Sequence, residues 1–541
     1  MKARSERDRS GLFLCALAVA SIAPFAPAIR GDFVWDDRPL ILDSQATASV
    51  RPISRFFARD FWAEGGAPRQ SGYYRPLTLL SFAVERRLFG AMPLPFHVTN
   101  LLLHACSTLL GYTLLRRLGA AVQAALIAAF LFAVHPVHVE SVAWISGRTD
   151  LLASTLAIAA LLCAASPRFA IAFALAPVLF FASLLSKESC ALLPLLALTH
   201  RAFRPRLARA SALFAAAIPY ALLRLAALPL PALHGAPFLS RAALAGKLVA
   251  VYLGKLVAPS SLPLDLSVAT PGALRILWAG VIPALLAAAI AAAWCQSQAA
   301  PLLFLLPLVP TLGLVPISDT SAIRFLYLPA LGFAGIAAEL FSRVPRRAGA
   351  IAVVAIVAAL GVLSAMRTRD FRTDETLFRA ERALSPGSVR MAIDFAEVLR
   401  RQHREPEALA VYEELRPGGD IRIALAIQRT HRDQGDLDAA ADDAKDALAR
   451  FPDDARAHGE AGLTYAAQGF VSLAEEELGR AVAIDPDAAV ARVNLAMLLA
   501  RQRRIDEARR IVEEGLSRRP GNAELLRARA LIGPGASDRA P

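Results

Sequence analysis

Residues 31–43 read GDFVWDDRPLILD and follow the first long apolar segment of the chain, Ser10–Ile29. Two adjacent carboxylates, Asp36 and Asp37, therefore stand just outside a segment that is long enough to enter a membrane. Ionisable side chains are costly at such a position, and a functional role is the default hypothesis for them. We refer to residues 31–43 as the WDD loop and take its two aspartates as the first candidate functional groups.

Outside this loop the sequence alternates between apolar blocks and short charged connections. Of the 541 residues, 56% are apolar and 19% are charged, and the apolar residues fall into blocks of about 20, the length of a membrane-spanning helix. From about Arg367 onward the composition changes to dense Arg, Asp, Glu and Ala. The pattern predicts an all-α polytopic membrane domain over 10–366 and a separate water-facing domain over 367–530, with a flexible tail at 531–541.

The formal net charge of +13 does not indicate a nucleic-acid partner. The basic residues cluster in short connections between apolar blocks, at Arg116–Arg117, Arg201–Arg209 and Arg343–Arg347. Such clustering is typical of the cytoplasmic loops of membrane proteins. The sequence also contains no Gly-rich phosphate loop, which leaves nucleotide chemistry with little support.

The amino-terminal residues Met1–Arg9 are basic on balance and are predicted to stay in the cytoplasm. Ser10–Ile29 then reads as a retained signal anchor, with a cleaved signal peptide as the alternative. This orientation places residues 31–96 in an outer loop. Within that loop, residues 73–90 have a helical pattern that is too short and too charged to span the membrane, so this helix is predicted to lie in the interface. Further spans are predicted at about 97–115, 119–135, 150–165, 169–185, 189–200, 211–231, 273–295, 301–317, 324–341 and 348–366.

Ser240–Ala258 decides on which side of the membrane the chain ends. Only seven apolar residues separate Lys247 from Lys255, far fewer than the roughly 20 of a spanning helix. We therefore predict an interfacial or re-entrant helix, about 11 spans in total and an extracytoplasmic carboxy-terminal domain. If this segment spans, that domain is cytoplasmic, and the basic stretch at 367–372 favours this alternative.

An internal repeat occupies the last third of the chain. Pro452, Pro486 and Pro520 recur with a period of 34 residues, as do the alanines Ala440, Ala474 and Ala508. This is the period of the tetratricopeptide helix–turn–helix unit, and such units stack into an α-solenoid with a concave groove. The groove suits an extended peptide, and oligomerisation is the alternative use.

Four outer segments carry ionisable side chains next to predicted spans: the WDD loop, 135–153, 186–189 and 318–329. They combine carboxylates that can accept a proton with Lys and Arg that can neutralise a phosphate. His135, His138 and Glu140 have a spacing that leaves metal ligation open, although Pro136 interrupts it and no metal site is predicted. Lys187 and Glu188 fit either an ion pair or a substrate contact.

The motifs FVWDD, YYRPLTLLSF, HPVHVESVAWISGRTDLLA, SKES and IRFLYLPALGF, followed by tetratricopeptide repeats, resemble a known family. They are similar to those of the transmembrane and tetratricopeptide-repeat-containing O-mannosyltransferases and their bacterial relatives, which are GT-C glycosyltransferases. The resemblance runs from about residue 30 to 520. It departs at Ile323, where family members usually have Glu before the arginine that corresponds to Arg324.

The resemblance implies a polyprenyl-phosphate sugar as donor and a hydroxyl acceptor, with protein Ser or Thr preferred, on the extracytoplasmic side of a membrane, here a bacterial inner membrane. It implies Asp36 and Asp37 as the acidic pair, with Asp36 preferred as the base of an inverting transfer. Candidate ligands of the donor phosphate are Arg324, Lys187 and Arg148, and candidate substrate-orienting residues are His135, His138, Glu140, Asp150, Glu188 and Arg75. No cofactor is expected, and the need for a divalent metal is left open. The alternatives are a membrane-anchored repeat scaffold without catalysis and, more weakly, a transporter.

Overall fold

The computed structural model describes residues 2–63, 71–228, 238–266, 299–312, 321–519 and 522–533. These residues form helices and turns, with no strand among them, so the all-α prediction is confirmed. The chain divides into two compact units, Met1–Ser385 and Pro386–Pro541. This division lies later than the domain boundary predicted near residue 366, because the helix after the last membrane segment packs with the first unit.

The first unit contains the apolar helices. Its main helices are α1 (Lys2–Ile22), α2 (Pro76–Phe89), α3 (Pro93–Arg117), α4 (Val122–Val134), α5 (Arg148–Ala164), α6 (Ala176–Ser186), α7 (Arg206–Ala215), α8 (Ala217–Ala227), α9 (Phe238–Val257), α10 (Ala299–Leu308), α11 (Pro329–Phe341), α12 (Arg346–Asp370) and α13 (Asp374–Leu384). Short helical turns, including Pro136–His138 and Glu188–Cys190, connect them.

By length and composition, five helices of the described residues can cross a membrane, or six if the bent pair formed by α4 and Pro136–Ala143 counts as one span. Four shorter apolar helices, Ile171–Ser186, Glu188–Thr199, Ala299–Thr311 and Pro329–Phe341, coincide with further predicted spans. The predicted span at 273–295 lies outside the described residues. The chain is thus a membrane protein, while the count of eleven and the interfacial placement of α9 stay predictions.

The ends of these helices carry residue types that stabilise helix termini. Proline stands in the first turn of α3, where its missing N–H costs nothing, and Arg116 and Arg117 lie in its last turn. The next long helix, α5, has Asp150 in its first turn. Negative charge at the start of a helix and positive charge at its end complement the helix dipole.

The helices α10 and α11 approach each other most closely at Gly332. A Cβ atom at this position would lie 2.2 Å from the backbone nitrogen of Phe304 and 2.6 Å from the carbonyl oxygen of Ala300. Only glycine allows two backbones to come this close, as in other membrane helix pairs. This contact fixes α11, and therefore Arg324 just before it, relative to Pro310 and Thr311 after α10.

The second unit is a stack of helix pairs, as the 34-residue period predicted. Its helices are α14 (Val389–Arg401), α15 (Glu405–Glu413), α16 (Ile421–Gln434), α17 (Leu437–Arg450), α18 (Ala455–Ala467), α19 (Val471–Ile484), α20 (Ala489–Arg501), α21 (Ile505–Arg518) and α22 (Ala523–Ile532). The alanines that recur at the same step, Ala440, Ala474 and Ala508, are fully buried. Pro520 and residues 534–541 of the predicted tail lie outside the described residues, and α22 includes the first two residues of that tail.

Candidate active site

The WDD loop has an unusual backbone turn at Trp35. This residue has φ of 54°, in the left-handed region that costs a non-glycine residue about 1–2 kcal/mol. Several contacts hold it there: its ring stacks on Trp144 with 4.9 Å between the centroids and meets Phe378 edge to face, and its backbone N–H donates to Asp374 Oδ1 at 2.6 Å. Asp374 also pairs with Arg38, at 3.3 Å. The loop is thus held in a defined shape between Trp144 and the start of α13.

Asp37 is fully enclosed, with no exposed surface. Its Oδ1 accepts hydrogen bonds from the backbone N–H of Ser146 at 2.8 Å and from the Ser146 hydroxyl at 2.5 Å, and its Oδ2 accepts one from Val34 N–H at 3.0 Å. Burial raises the pKa of Asp37 to about 7, although the hydrogen bonds from Ser146 and Val34 act against this shift. Its geometry is that of a carboxyl group that ties the loop to the turn after Trp144.

Asp36 differs from its neighbour because it is only half-buried. Its backbone carbonyl accepts a hydrogen bond from Leu40 N–H at 3.1 Å, which closes the turn that follows it. The structure therefore distinguishes the two members of the predicted acidic pair: Asp37 is enclosed, whereas Asp36 is partly exposed to solvent.

A cleft in the same unit gathers cations from distant parts of the sequence. The space between its lining atoms is about 420 Å³ when the volume open to solvent is included. The lining residues are Tyr73, Arg75, Lys187, Glu188, Ser189, Pro310, Thr311, Arg324 and Phe325. We call it the cationic cleft, because three of these side chains are basic and one is acidic. Four predicted site residues, Arg75, Lys187, Glu188 and Arg324, meet here.

Arg75 and Lys187 are each fixed by a carboxylate. Arg75 lies 3.3 Å from Glu188 and packs over the ring of Tyr73, and Lys187 Nζ donates to Asp150 Oδ1 at 2.6 Å. Burial acts to raise the pKa of Glu188, but the charges of Arg75 and Lys187 and the hydrogen bonds to the carboxylate together outweigh it and hold that pKa below its ordinary value. The predicted substrate-orienting residue Asp150 thus lies behind the cleft and supports Lys187.

Arg324 is fixed in the same way by Glu140. The backbone N–H of Arg324 donates to one carboxylate oxygen of Glu140 at 2.9 Å and its guanidinium donates to the other at 2.5 Å. The guanidinium also lies 5.5 Å from the ring of Trp144, which joins this wall of the cleft to Trp35. Residue 323, which departs from the family pattern, is a buried isoleucine, so a carboxylate for Arg324 comes from another segment.

Arg148 does not reach the cleft. Its side chain has no exposed surface, pairs with Glu85 at 2.6 Å and donates to Asn100 Oδ1 and to the Phe96 carbonyl, both at 2.9 Å. A guanidinium enclosed by these partners cannot contact a donor phosphate without breaking them. The structure therefore argues against the phosphate-binding role predicted for Arg148 and makes it a residue that joins α2, α3 and α5.

The predicted histidines lie in an aromatic layer away from the cleft lining. His135 bonds through Nε2 to the Leu256 carbonyl at 2.9 Å, and the ring of His138 packs 4.4 Å from Phe132 and 4.8 Å from Tyr327. Glu140 is engaged with Arg324 instead. Within the described residues no three His, Cys, Asp or Glu side chains form a group that could hold a metal ion.

Several residues of this site were not predicted. Asp374 and Ser146 hold the WDD loop. Asp374 is a single polar residue without a motif around it, and Ser146 lies within the motif at 135–153 but had no predicted role. Tyr73 begins the segment predicted to lie in the interface, whereas it lines the cleft and supports Arg75. In the sequence, the only indication of this role is that Tyr73 stands two residues before Arg75.

Curated proteins that match this chain include protein O-mannosyl-transferases of several animals. A protein O-mannosyl-transferase of Caenorhabditis elegans is 37% identical over 165 residues, which are 30% of this chain and 24% of that protein. Protein O-mannosyl-transferases of Mus musculus and Homo sapiens are 40% identical over 168 residues and 41% identical over 157 residues, covering 30% and 26% of this chain and 18% and 21% of those proteins. The matched part thus spans about a quarter or less of the length of these relatives.

The second unit matches a tetratricopeptide-repeat family model over residues 471–532. Among solved structures, a tetratricopeptide-repeat protein of Thermus thermophilus aligns with a TM-score of 0.27 at 24% identity, covering 32% of this chain and 93% of that protein. The resemblance seen in the sequence motifs is confirmed. Over the part that they match, this chain is a relative of the protein O-mannosyl-transferases, and it carries tetratricopeptide repeats.

Proposed function

We propose that this chain is an integral-membrane glycosyltransferase that moves a sugar from a polyprenyl-phosphate carrier to a hydroxyl group of a protein acceptor. The observation that carries the proposal is the cationic cleft, where Arg75, Lys187 and Arg324 converge from three segments far apart in sequence. The names of the relatives favour mannose as the sugar.

The reaction is a single displacement with inversion. The acceptor oxygen forms a bond to the anomeric carbon, the bond from that carbon to the phosphate oxygen breaks, and the electron pair of this bond passes to the lipid phosphate. Asp36 takes the proton of the acceptor hydroxyl, because it is the accessible carboxylate of the pair. Asp37 keeps the loop in place.

The cleft supplies the charge that this leaving group needs. The phosphate gains negative charge as the bond breaks, and fixed cations stabilise that change without reorganising. Glu188, Asp150 and Glu140 hold the three cations at defined positions, while eight of the nine lining residues are not acidic. Arg75 thus joins Lys187 and Arg324 as a phosphate ligand in place of Arg148.

The active site and the start of the repeats lie on one side of the membrane in this proposal. The WDD loop follows the first membrane segment, and it contacts Arg372 and Asp374, which directly follow α12. The basic connection before α12, Arg343–Arg347, lies at the other end of that helix. This arrangement supports an extracytoplasmic repeat unit that captures the acceptor.

The test is a transfer assay on the full chain in nanodiscs, with polyprenyl-phosphate mannose and a Ser/Thr-containing peptide. Asp36→Asn is expected to lower kcat by a factor of about 100 or more, while Asp43→Asn, an exposed aspartate of the same loop, serves as the matched control. Full activity of Asp36→Asn would reject the proposed base. Absence of transfer by the wild-type chain, with an intact repeat unit, would favour the scaffold alternative.

A further inference from the structure

A second group of basic side chains lies at the opposite end of α5 from the cleft. Asp150, in the first turn of α5, supports Lys187 of the cleft, whereas the last turn of α5 ends at Ala164. The 17 residues of this helix correspond to about 25 Å. The two groups are therefore separated by about the thickness of a bilayer's hydrocarbon core.

Two guanidinium groups from different helices meet at this end of α5. Arg209 of α7 donates to the Ala164 carbonyl at 2.7 Å, and Arg117 of α3 donates to the Ala165 carbonyl. Both cap the helix end, where positive charge is favourable. Three connections thus meet at this helix end, and they contain seven arginines: Arg116, Arg117, Arg168, Arg201, Arg204, Arg206 and Arg209. We call these the arginine cluster.

The arginine cluster has no counter-charge among the described residues. None of its members forms an ion pair there with an Asp or Glu side chain, although six of the seven are exposed. Arg209 is only 8% exposed, and its Nε has no hydrogen-bond partner within the described part of the chain. A buried guanidinium N–H without an acceptor is costly, so the site is incomplete as it stands.

The surroundings of the cluster are apolar. Phe169, next to Arg168, is 76% exposed, and Leu207, next to Arg206, is 73% exposed. Large apolar side chains interleaved with arginines match a ligand that is anionic at one end and apolar at the other. A free phosphate ion would use the arginines alone.

We infer that the arginine cluster binds the headgroup of an anionic phospholipid on the membrane face opposite the active site. The lipid phosphate accepts charge-assisted hydrogen bonds from the exposed arginines, and its acyl chains lie against Phe169 and Leu207. A basic loop that only orients the chain in the membrane needs neither the convergence of three connections nor the burial of Arg209. The inference does not depend on the proposed function, because it concerns no residue of the cleft.

The test uses native mass spectrometry of the full chain in a neutral detergent, titrated with phosphatidylglycerol, phosphatidylcholine or inorganic phosphate. The triple variant Arg168→Gln, Arg201→Gln, Arg206→Gln leaves both helix caps in place. It is expected to weaken phosphatidylglycerol binding by about tenfold or more, since each lost hydrogen bond involves two charged groups. The matched control is Arg343→Gln, Arg346→Gln, Arg347→Gln, which removes three exposed arginines from another basic connection.

Phosphatidylglycerol binding that the first triple variant loses and the control keeps would support the inference. Equal losses in both variants, equal binding of phosphatidylcholine, or inorganic phosphate that competes at the same concentration would each overturn it. If the triple variant is not monodisperse, the three single variants are titrated separately. An affinity unchanged in all three would then overturn the inference.

Discussion

The backbone N–H of Trp35 donates a hydrogen bond to Asp374 at 2.6 Å, across 339 residues of sequence. The bond joins the loop after the first membrane segment to the residues that follow the last membrane helix. Because Asp374 also pairs with the guanidinium of Arg38, one carboxylate holds the backbone of Trp35 and the side chain of Arg38, on either side of Asp36. The shape of the proposed catalytic loop therefore depends on a residue near the boundary with the repeats.

Replacing Asp374 by Ala is expected to lower kcat of the transfer by about tenfold, since a base displaced by a fraction of an ångström loses reactivity. KM for the donor should change little, because the cleft cations keep their own carboxylates. The matched control is Glu375→Ala, whose partner Arg379 lies on the same helix. Equal kcat values for the two variants, measured with the same donor and peptide, would contradict the positioning role.

The raised pKa of Asp37 makes the stability of the protein depend on pH. In the folded state Asp37 keeps its proton up to about pH 7, whereas in the unfolded state it releases that proton near pH 4. The free energy of unfolding should therefore fall as the pH rises through this window. Asp37→Asn removes this contribution, and Asp36→Asn keeps it. Thermal unfolding in detergent at pH 5 and pH 7.5 measures the difference. A wild-type slope that persists in Asp37→Asn would show that another group titrates.

Variants of the ion pair between Lys187 and Asp150 can distinguish a loss of stability from a loss of donor binding. Lys187→Gln leaves a buried carboxylate unpaired and should lower the free energy of unfolding by about 3 kcal/mol. The double variant Lys187→Gln, Asp150→Asn removes both charges and should recover most of that loss. If Lys187 contacts the donor phosphate, the double variant still has a raised KM for the donor. A wild-type KM in a stable double variant would remove Lys187 from the phosphate ligands.

Gly332 should tolerate no side chain, because a Cβ atom would lie 2.2 Å from a backbone nitrogen of α10. Gly332→Ala is expected to lower the free energy of unfolding by about 1–3 kcal/mol as the helices are forced apart. Gly361→Ala is the matched control, since its nearest neighbour would be 3.8 Å away. Similar melting temperatures for the two variants would mean that α10 and α11 can separate without cost.

Membrane sidedness can be tested by cysteine labelling in a background without native cysteines. A membrane-impermeant reagent added from outside should label Asp43→Cys in the WDD loop and Asp453→Cys in the repeats, but not Arg204→Cys. All three positions are exposed on the protein surface, so differences in labelling should reflect the side of the membrane and not burial. If Asp453→Cys is protected from the external reagent in the same way as Arg204→Cys, the repeats lie in the cytoplasm, and α9 must then cross the membrane.

Local patterns predicted the helices well and their tertiary partners poorly. The apolar blocks predicted the positions of the membrane helices, and the 34-residue period of alanine and proline predicted the repeats. Both patterns can be read from the sequence because they depend on residues that are close along the chain. Arg75, Lys187 and Arg324 were recognised as polar groups at segment ends, and the structure brings them together. The role of Arg148 was misjudged because burial against Glu85 depends on how α2 packs. Asp374 could not be found, since a single aspartate after a helix resembles an ordinary cap.

The left-handed backbone of Trp35 has a consequence for biosynthesis. A residue in that conformation relaxes unless its surroundings hold it, and one of its supports, Asp374, is made long after the loop has left the ribosome. While the membrane helices are being inserted one by one, the nascent chain therefore lacks the bond that sets the direction of Asp36. The WDD loop therefore reaches its folded shape only after the chain has been made as far as Asp374, beyond the end of α12.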